Sequence, residues 1–576
     1  MSGKNISNAN RSAGAARPED RRLLWFFMIA WFVINCFQAA FLGVDGDEAY
    51  YWVLSRNIDW GYFDHPPFVT LLINLGESVG HGPFFMRLGT ILVSTLTVGM
   101  IYLALPDGLK NIRTYLLVFS ATLVLHVYGF ITTPDAPLLF FSALFFYGYK
   151  KYLQQESIAN ILIMALVVTG MLYSKYHGVL PVGFVVLSNL KLLRKPGFWL
   201  MVAIVATLFI PHLLWQNNHD WATVKFHLIE RGTKKYKVEF TTNYILGQLL
   251  VWGPVISLLF YWYIRKIRPV DKLVRAHLFN FAGVLLFFFL SSFKNNVQPH
   301  WTLVAAPSYI VLFLWLLQYG NNKFRRLFLR LCYTNIAIII IARILFLLPD
   351  SPFSAIGNYK PFFHAKEWAQ TIHEKAEGRP VLFTNSYIMP SLYLFYNPGE
   401  KTFGYNTRTY RKNHYNINRM DDALNGQNIF YYREGELVDT AIKIETKYKS
   451  GNLVPIEPFV SVSDLKIRAL NLPKEIKAGS GVEVLLELTN TGRSAILNRN
   501  ILSIEYSYSP LSYVVNEGKE SMPLLQKEIP PGFKDTLAFT ITAPAETGKN
   551  RVLFSIRNGI LPGNFASGYY PLKVVP

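Results

Sequence analysis

Eleven apolar runs punctuate the chain, near residues 23–43, 84–105, 114–131, 137–149, 158–173, 179–193, 198–215, 244–264, 276–292, 301–318 and 331–348. About twenty apolar residues cross the hydrocarbon core of a bilayer. The pattern therefore predicts a polytopic α-helical membrane part over residues 23–349. The runs at 137–149 and 179–193 are short and fit tilted or partly re-entrant segments. The first run is long for a signal-peptide core and lacks a clear small-x-small cleavage site, so it reads as an anchor.

The polar segments between the runs alternate in character. Lys4, Arg11, Arg17, Arg21 and Arg22 precede the first run. Lys110/Arg113, Lys150/Lys151, Lys191/Arg194/Lys195, Arg265/Lys266/Arg268/Lys272/Arg275 and Lys323/Arg325/Arg326/Arg330 fall in every second loop thereafter. Basic loops stay cytoplasmic. This makes 1–22 a cytoplasmic tail and, with an odd number of spans, sends everything after 349 to the extracytoplasmic side. The other loops, 44–83, 132–136, 174–178, 216–243 and 293–300, hold the acids, histidines, Trp and Tyr.

Past residue 349 the periodicity changes. Residues 350–454 mix an amphipathic helix pattern, Phe363 to His373, with strand runs such as Val381–Thr384 and Ile429–Tyr432, as in a small α/β domain. From 455 to 576 short alternating strands are separated by Gly, Pro and Asn turns, the spacing of an Ig-like β-sandwich.

Composition agrees with this layout. Of the 576 residues 51% are hydrophobic and only 16% charged, against about 25% charged in soluble domains. The formal net charge of +20 sits in short loops between apolar runs. Membrane topology and anionic lipid headgroups account for it better than nucleic acid does. Cys36 and Cys332 both lie in apolar runs and form neither a disulfide framework nor a metal pattern.

The densest chemistry follows the first run, in Asp45-Gly-Asp-Glu-Ala-Tyr-Tyr-Trp52 and Gly61-Tyr-Phe-Asp-His-Pro-Pro67. Carboxylates beside a bilayer are costly and are usually there for a purpose. Asp47 and Glu48 stand where a carboxylate can take a proton from an incoming hydroxyl, help worth about two to four orders of magnitude. In Asp64-His65-Pro66-Pro67 the prolines stiffen the turn. Asp64 can orient an acceptor or support His65, and His65 can meet a phosphate or, with nearby acids, a divalent metal; an ordinary pre-proline turn explains the pair about equally well. No resident metal or cofactor is expected. Asp135 in Thr132-Thr-Pro-Asp-Ala-Pro137 is also explained as a helix cap. Cations gather on the same face: Arg87, Lys175, His177, Lys225, Arg231, Lys294 and His300. They can stabilise a departing lipid phosphate, or snorkel to headgroups.

Asp47-Glu48-Ala-Tyr-Tyr-Trp, Gly61-Tyr-Phe-Asp-His-Pro-Pro, Thr133-Pro-Asp-Ala-Pro-Leu, Ser174-Lys-Tyr-His-Gly-Val-Leu and Gln298-Pro-His-Trp together resemble the GT-C glycosyltransferases of family 39, which include protein O-mannosyltransferases and lipid A aminoarabinose transferases. The likeness covers about residues 20–350. It implies an inverting enzyme of the bacterial inner membrane that moves a sugar from a polyprenyl-phosphate donor to an extracytoplasmic lipid, glycan or protein. By resemblance Asp47 is the base, Glu48 supports it, and Arg87 and the cationic loop residues contact donor phosphate. The Ig-like ending departs from the eukaryotic mannosyltransferases and points to a bacterial member. A transferase of lipid-linked oligosaccharide and a transporter of lipid-linked saccharide are the alternatives. Transporters carry charge near mid-membrane and show repeated halves; here the charges gather at one face and no halves repeat.

Overall fold

The computed structural model describes residues 18–227, 236–269, 271–408, 410–435, 441–499, 501–510 and 516–576. Most of the basic N-terminal tail lies outside them. The chain forms two compact units: residues up to 363 without 225–235, and 364–576 together with 225–235.

The first unit is helical. Its helices are α1 (Pro18–Phe41), α2 (Gly46–Ser55), α3 (Phe68–Glu77), α4 (Pro83–Ala104), α5 (Ile112–Ser120), α6 (Leu123–Val127), α7 (Asp135–Gln154), α8 (Ile158–Ser174), α9 (Val179–Ser188), α10 (Pro196–Asn218), α11 (Ala222–Lys225), α12 (Val238–Trp252), α13 (Ser257–Ile264), α14 (Lys272–Ser292), α15 (Ala306–Tyr319) and α16 (Asn322–Leu345). The last residue of α11 belongs to the second unit. Among the described residues six helices are long and apolar enough to cross a membrane, or seven if the bent pair α12–α13 is one span.

Eleven apolar runs thus yield fewer continuous spans, for local reasons. The run at 114–131 breaks at Ala121-Thr122 into α5 and α6. The runs at 158–173 and 179–193 fold as α8, of 17 residues, and as the 10-residue α9 followed by a 3-10 turn. The run at 244–264 bends by 100° at Gly253, whose φ of 136° suits only glycine and where a Cβ would meet Asn335 Nδ2 at 1.9 Å.

Two glycines bring the site-bearing helices into contact. A Cβ on Gly76 would lie 1.8 Å from Phe85 O, and one on Gly89 would lie 2.2 Å from Leu72 O. Small residues let α3 and α4 pack backbone to backbone. Trp31, Tyr115, Phe119, Phe146 and Tyr309 belong to one continuous apolar core.

The second unit starts within α17 (Lys360–Ala376). Strands β1 (Val381–Thr384), β2 (Thr402–Tyr405), β3 (Ile429–Arg433), β4 (Ile442–Ile444) and β5 (Gly451–Ile456) form one sheet in the order β2-β1-β3-β5-β4. β1 runs parallel to β2 and β3, and β5 is antiparallel to β3. Helix α18 (Ile388–Tyr396) follows β1. Because β5 pairs Ile456 with Ile429, the α/β sheet ends one residue past the expected boundary at 455. The remaining strands are β6 (Leu465–Ala469), β7 (Glu475–Lys477), β8 (Gly481–Asn490), β9 (Ile496–Leu497), β10 (Leu502–Pro510), β11 (Asn516–Pro523), β12 (Glu528–Ile529), β13 (Lys534–Thr542), β14 (Gly548–Asn558) and β15 (Tyr570–Val575). They make sheets β11-β10-β14-β15-β7 and β13-β8-β6 with a small β12-β9 pair. Leu486, Ile504, Ile541 and Phe554 share their apolar core, as alternating inward residues of a sandwich do. The sandwich and the α/β sheet are joined by a buried ion pair of Arg408 with Glu505 at 2.5 Å and by the Tyr405 hydroxyl donating to Pro562 O at 2.9 Å.

Candidate active site

The site begins where α1 ends. Asp45 caps α2: its carboxylate accepts the Asp47 N–H at 3.1 Å, and Glu48 accepts the Asp45 N–H at 3.2 Å. This reciprocal cap starts a helix five residues after the end of α1. It leaves Asp47 in the first turn of α2 and part-exposed, while Glu48 is fully buried.

A buried carboxylate needs a partner and hydrogen bonds. Glu48 Oε1 accepts from Arg87 Nε at 2.8 Å and from the Thr132 N–H at 2.8 Å; Oε2 accepts from Arg87 Nη2 at 2.5 Å. Arg87 also donates to Ala39 O at 3.2 Å, Leu42 O at 2.7 Å and Gly43 O at 2.7 Å. All five guanidinium N–H groups are thus engaged, on the C-terminal carbonyls of α1 and on Glu48. Arg87, read from sequence as a phosphate contact, has its donors engaged inside the fold and is buried to 0% exposure. It ties α1, α2, α4 and the loop before α7 into one knot.

A second cluster lies on the next loops. Asp135, at the N-terminus of α7, accepts Lys175 Nζ on both oxygens at 2.9 and 2.8 Å. Both side chains are buried. His300 Nε2 stands 3.8 Å from the same carboxylate, and His177 is close enough to act on it electrostatically. Lys175, read from sequence as a phosphate contact, is therefore first a partner of Asp135. The His177 ring packs on Phe288 and Trp301 at 4.9 and 5.4 Å. Asp64 is buried and accepts the Tyr50 hydroxyl at 2.9 Å, which sets it against α2. The His65 ring lies 5.7 Å from that of Tyr51.

Tyr128, which sequence reasoning passed over, links the clusters. Its ring lies 5.2 Å from that of His300, and Asp135, Asp45 and Asp47 all lie within electrostatic reach of it. A further network was missed. Tyr176 hydrogen-bonds His212 Nε2 at 2.9 Å, His212 Nδ1 bonds Trp60 O at 2.7 Å, and Trp215 donates to Asp59 at 2.7 Å. It fastens the 57–62 loop to the end of α10. A histidine inside an apolar run, beside Pro211, was the available signal.

Other candidates fall elsewhere. Lys294 is exposed on the turn after α14. Lys225 ends α11 in the segment grouped with the second unit, and Arg231 lies outside the described residues. Among the described residues no three His, Cys, Asp or Glu side chains are grouped as for a metal ion.

Burial, reinforced by the charges of Asp47 and Glu48, pushes the Asp45 carboxyl up to about 7. The folded state therefore holds this proton more tightly than the unfolded chain does. Its stabilising contribution is full below the unfolded carboxyl pKa of about 3.9 and is lost as pH rises through about 7. Thermal melts of the purified protein from pH 4.5 to 8 are expected to show a fall in stability with rising pH that Asp45→Asn flattens. An equal slope in both proteins would remove Asp45 as its source.

Comparison with known proteins fits this arrangement. The sequence profile of the family described as dolichyl-phosphate-mannose-protein mannosyltransferase matches residues 64–215. The lipid A galacturonosyltransferase RgtD of Rhizobium johnstonii is 26% identical over 303 residues, 47% of this chain and 60% of that protein. The lipopolysaccharide core galacturonosyltransferase RgtB of the same organism is 27% identical over 251 residues, 39% of this chain and 49% of that protein. The chain thus spans less than two thirds of the length of each relative. Among solved structures, ArnT from Cupriavidus metallidurans shares the fold over 76% of this chain and 98% of ArnT, with TM-scores of 0.53 in the apo state and 0.52 bound to undecaprenyl phosphate, at 14% and 15% identity. The chain thus has the fold of ArnT, and over residues 64–215 its sequence matches the profile of the mannosyltransferase family.

Proposed function

We propose that the chain transfers a sugar from a polyprenyl-phosphate-linked donor to an acceptor at the extracytoplasmic face of the bacterial inner membrane, inverting the anomeric centre. The N-terminus is cytoplasmic and the C-terminal unit extracytoplasmic in this reading, as the alternation of basic loops supports. The observation that carries it is the buried Glu48–Arg87 pair, which locks the start of α2 and so holds Asp47 part-exposed at the end of α1.

Asp47 takes the proton of an acceptor hydroxyl as that oxygen bonds to the anomeric carbon, on the face opposite the phosphate. The bond from that carbon to the phosphate oxygen breaks, and its electron pair leaves with polyprenyl phosphate. The leaving group gains negative charge, and cations aimed at developing charge lower the barrier. Lys175 and His300, held together by Asp135, are the candidates in the first unit, with His65, His177 and Lys294 as further donor contacts. Asp64, fixed by Tyr50, orients the acceptor. No metal is assigned a role. The relatives named for lipid A and lipopolysaccharide core support a glycolipid acceptor and a uronic-acid donor.

Protein reconstituted in vesicles, given polyprenyl-phosphate galacturonate and lipid A, is expected to yield lipid A heavier by one sugar. Product formed only from a lipid-linked oligosaccharide, or donor crossing the bilayer without transfer, would overturn the proposal.

A further inference from the structure

Arg343 is a charged side chain of the helical unit that the proposed reaction leaves unused. It lies in the last turn of α16, two residues before Leu345, and is only partly exposed. Its guanidinium donates to Asn35 Oδ1 at 2.8 Å and to Gln38 Oε1 at 3.4 Å, both on α1, and bonds His126 Nδ1 at 3.2 Å on α6. His126 Nε2 bonds Ser120 O at 2.8 Å. That assigns the ring proton to Nε2 and makes Nδ1 a neutral acceptor. All three partners are therefore uncharged. Asn35 and Gln38 are buried, so this polar group is built into the apolar interior.

The contrast with Arg87 is informative. Both guanidinium groups lie against the Phe130 ring, at 5.6 and 5.5 Å. Arg87 is neutralised by Glu48 and has every N–H engaged. Among the described residues no carboxylate pairs with Arg343, and its three contacts leave one N–H on each terminal nitrogen. A cation at the end of a span lies at headgroup depth, where its charge can meet a lipid phosphate. Two terminal N–H groups are the fork with which a guanidinium grips a phosphate.

The surfaces beside it are apolar. On α16, Ile340 is 52% exposed and stands three residues before Arg343; on α1, Ile34 is 52% exposed and stands four residues before Gln38. Residues three or four apart share a helix face, so a hydrocarbon chain can run inward along both helices from a headgroup at Arg343.

We propose that Arg343, framed by Asn35, Gln38 and His126, binds the phosphate of an anionic lipid between the outer ends of α1 and α16. The site is independent of sugar transfer. Two lipids carry this chemistry, a polyprenyl phosphate and a bilayer phospholipid.

Native mass spectrometry of the full chain in detergent, titrated separately with undecaprenyl phosphate, phosphatidylglycerol and inorganic phosphate, distinguishes them. Arg343→Gln keeps hydrogen bonding but removes the charge, and is expected to weaken one of the two lipids by about tenfold, the loss of one strong charged contact. Loss confined to undecaprenyl phosphate assigns the site to the polyprenyl lipid, and loss confined to phosphatidylglycerol assigns it to the bilayer. Arg343→Lys keeps the charge and loses the fork; a several-fold weakening of the same lipid is expected, and this variant decides the matter if Arg343→Gln does not fold. Unchanged binding of both lipids in whichever variant folds, or equal competition by inorganic phosphate, would overturn the proposal. Failure of sugar transfer with lipid binding intact would count against the transferase reading alone.

Discussion

Arg87→Ala is expected to remove most of the folded protein from the membrane rather than to weaken substrate use. The side chain is 0% exposed and donates to Glu48 and to the carbonyls of Ala39, Leu42 and Gly43. Alanine leaves the Glu48 carboxylate buried with only the Thr132 and Asp45 N–H groups, and it leaves the end of α1 without donors. Removing one member of a buried ion pair costs about 3–5 kcal/mol, a large part of the stability of an ordinary domain. Arg87→Lys is expected to recover little, because an ammonium cannot span two carboxylate oxygens and three carbonyls. The double variant Arg87→Met, Glu48→Leu is expected to be more stable than Arg87→Ala alone, since it leaves no unpaired charge. Thermal melts in detergent and yield from membranes measure all of these. An Arg87→Ala protein that melts like wild type but has a raised donor KM would return Arg87 to the phosphate.

The fate of Arg87 shows what hydropathy and charge can and cannot say. An arginine near the start of an apolar run reads as a phosphate contact more readily than as a snorkelling side chain, and its place inside the fold depends on where α1 ends. The capping residue Asp45 and the short turn back into α2 bring the last carbonyls of α1 onto α4, and no local pattern in 83–104 announces that. The carboxylate segment itself was legible: Asp45, Asp47 and Glu48 follow an apolar run directly, and the cap that orders them is a local motif. The Asp135–Lys175 pair joins residues 40 apart in sequence, so each could be listed as a candidate but not matched.

The number of spans was less legible than their positions. Apolar runs mark what is buried in lipid or protein, but a run becomes a continuous span only if its backbone stays helical. Gly253 and the break at Ala121-Thr122 end that continuity. The aromatic and aliphatic residues on both sides keep the hydropathy high, which conceals the bend. In the C-terminal part the alternating strands were readable because a sandwich writes its burial with a period of two. Its attachment through Arg408 to Glu505 was not, since a buried ion pair between distant segments has no local periodicity.

Asp47→Asn is expected to lower turnover by about two orders of magnitude or more while donor binding stays largely intact. The amide keeps the size and much of the hydrogen bonding but takes no proton from the acceptor. The fold should tolerate the change: Asp47 is part-exposed, its backbone N–H rather than its carboxylate completes the cap on Asp45, and Glu48, not Asp47, occupies the Arg87 fork. The separation of roles makes the neighbouring variants informative. Glu48→Gln weakens the Arg87 knot, so its activity loss should come with a lowered melting temperature, whereas Asp47→Asn should melt near wild type. Asp64→Asn, which keeps an acceptor for the Tyr50 hydroxyl, should lose less than Asp47→Asn if it only orients the acceptor, and its loss should appear in acceptor KM more than in kcat. Rates are compared per folded molecule, from initial velocities with saturating donor. A dead Asp64→Asn beside a nearly active Asp47→Asn would move the base to Asp64, and wild-type rates in both would remove carboxylate base catalysis from this site.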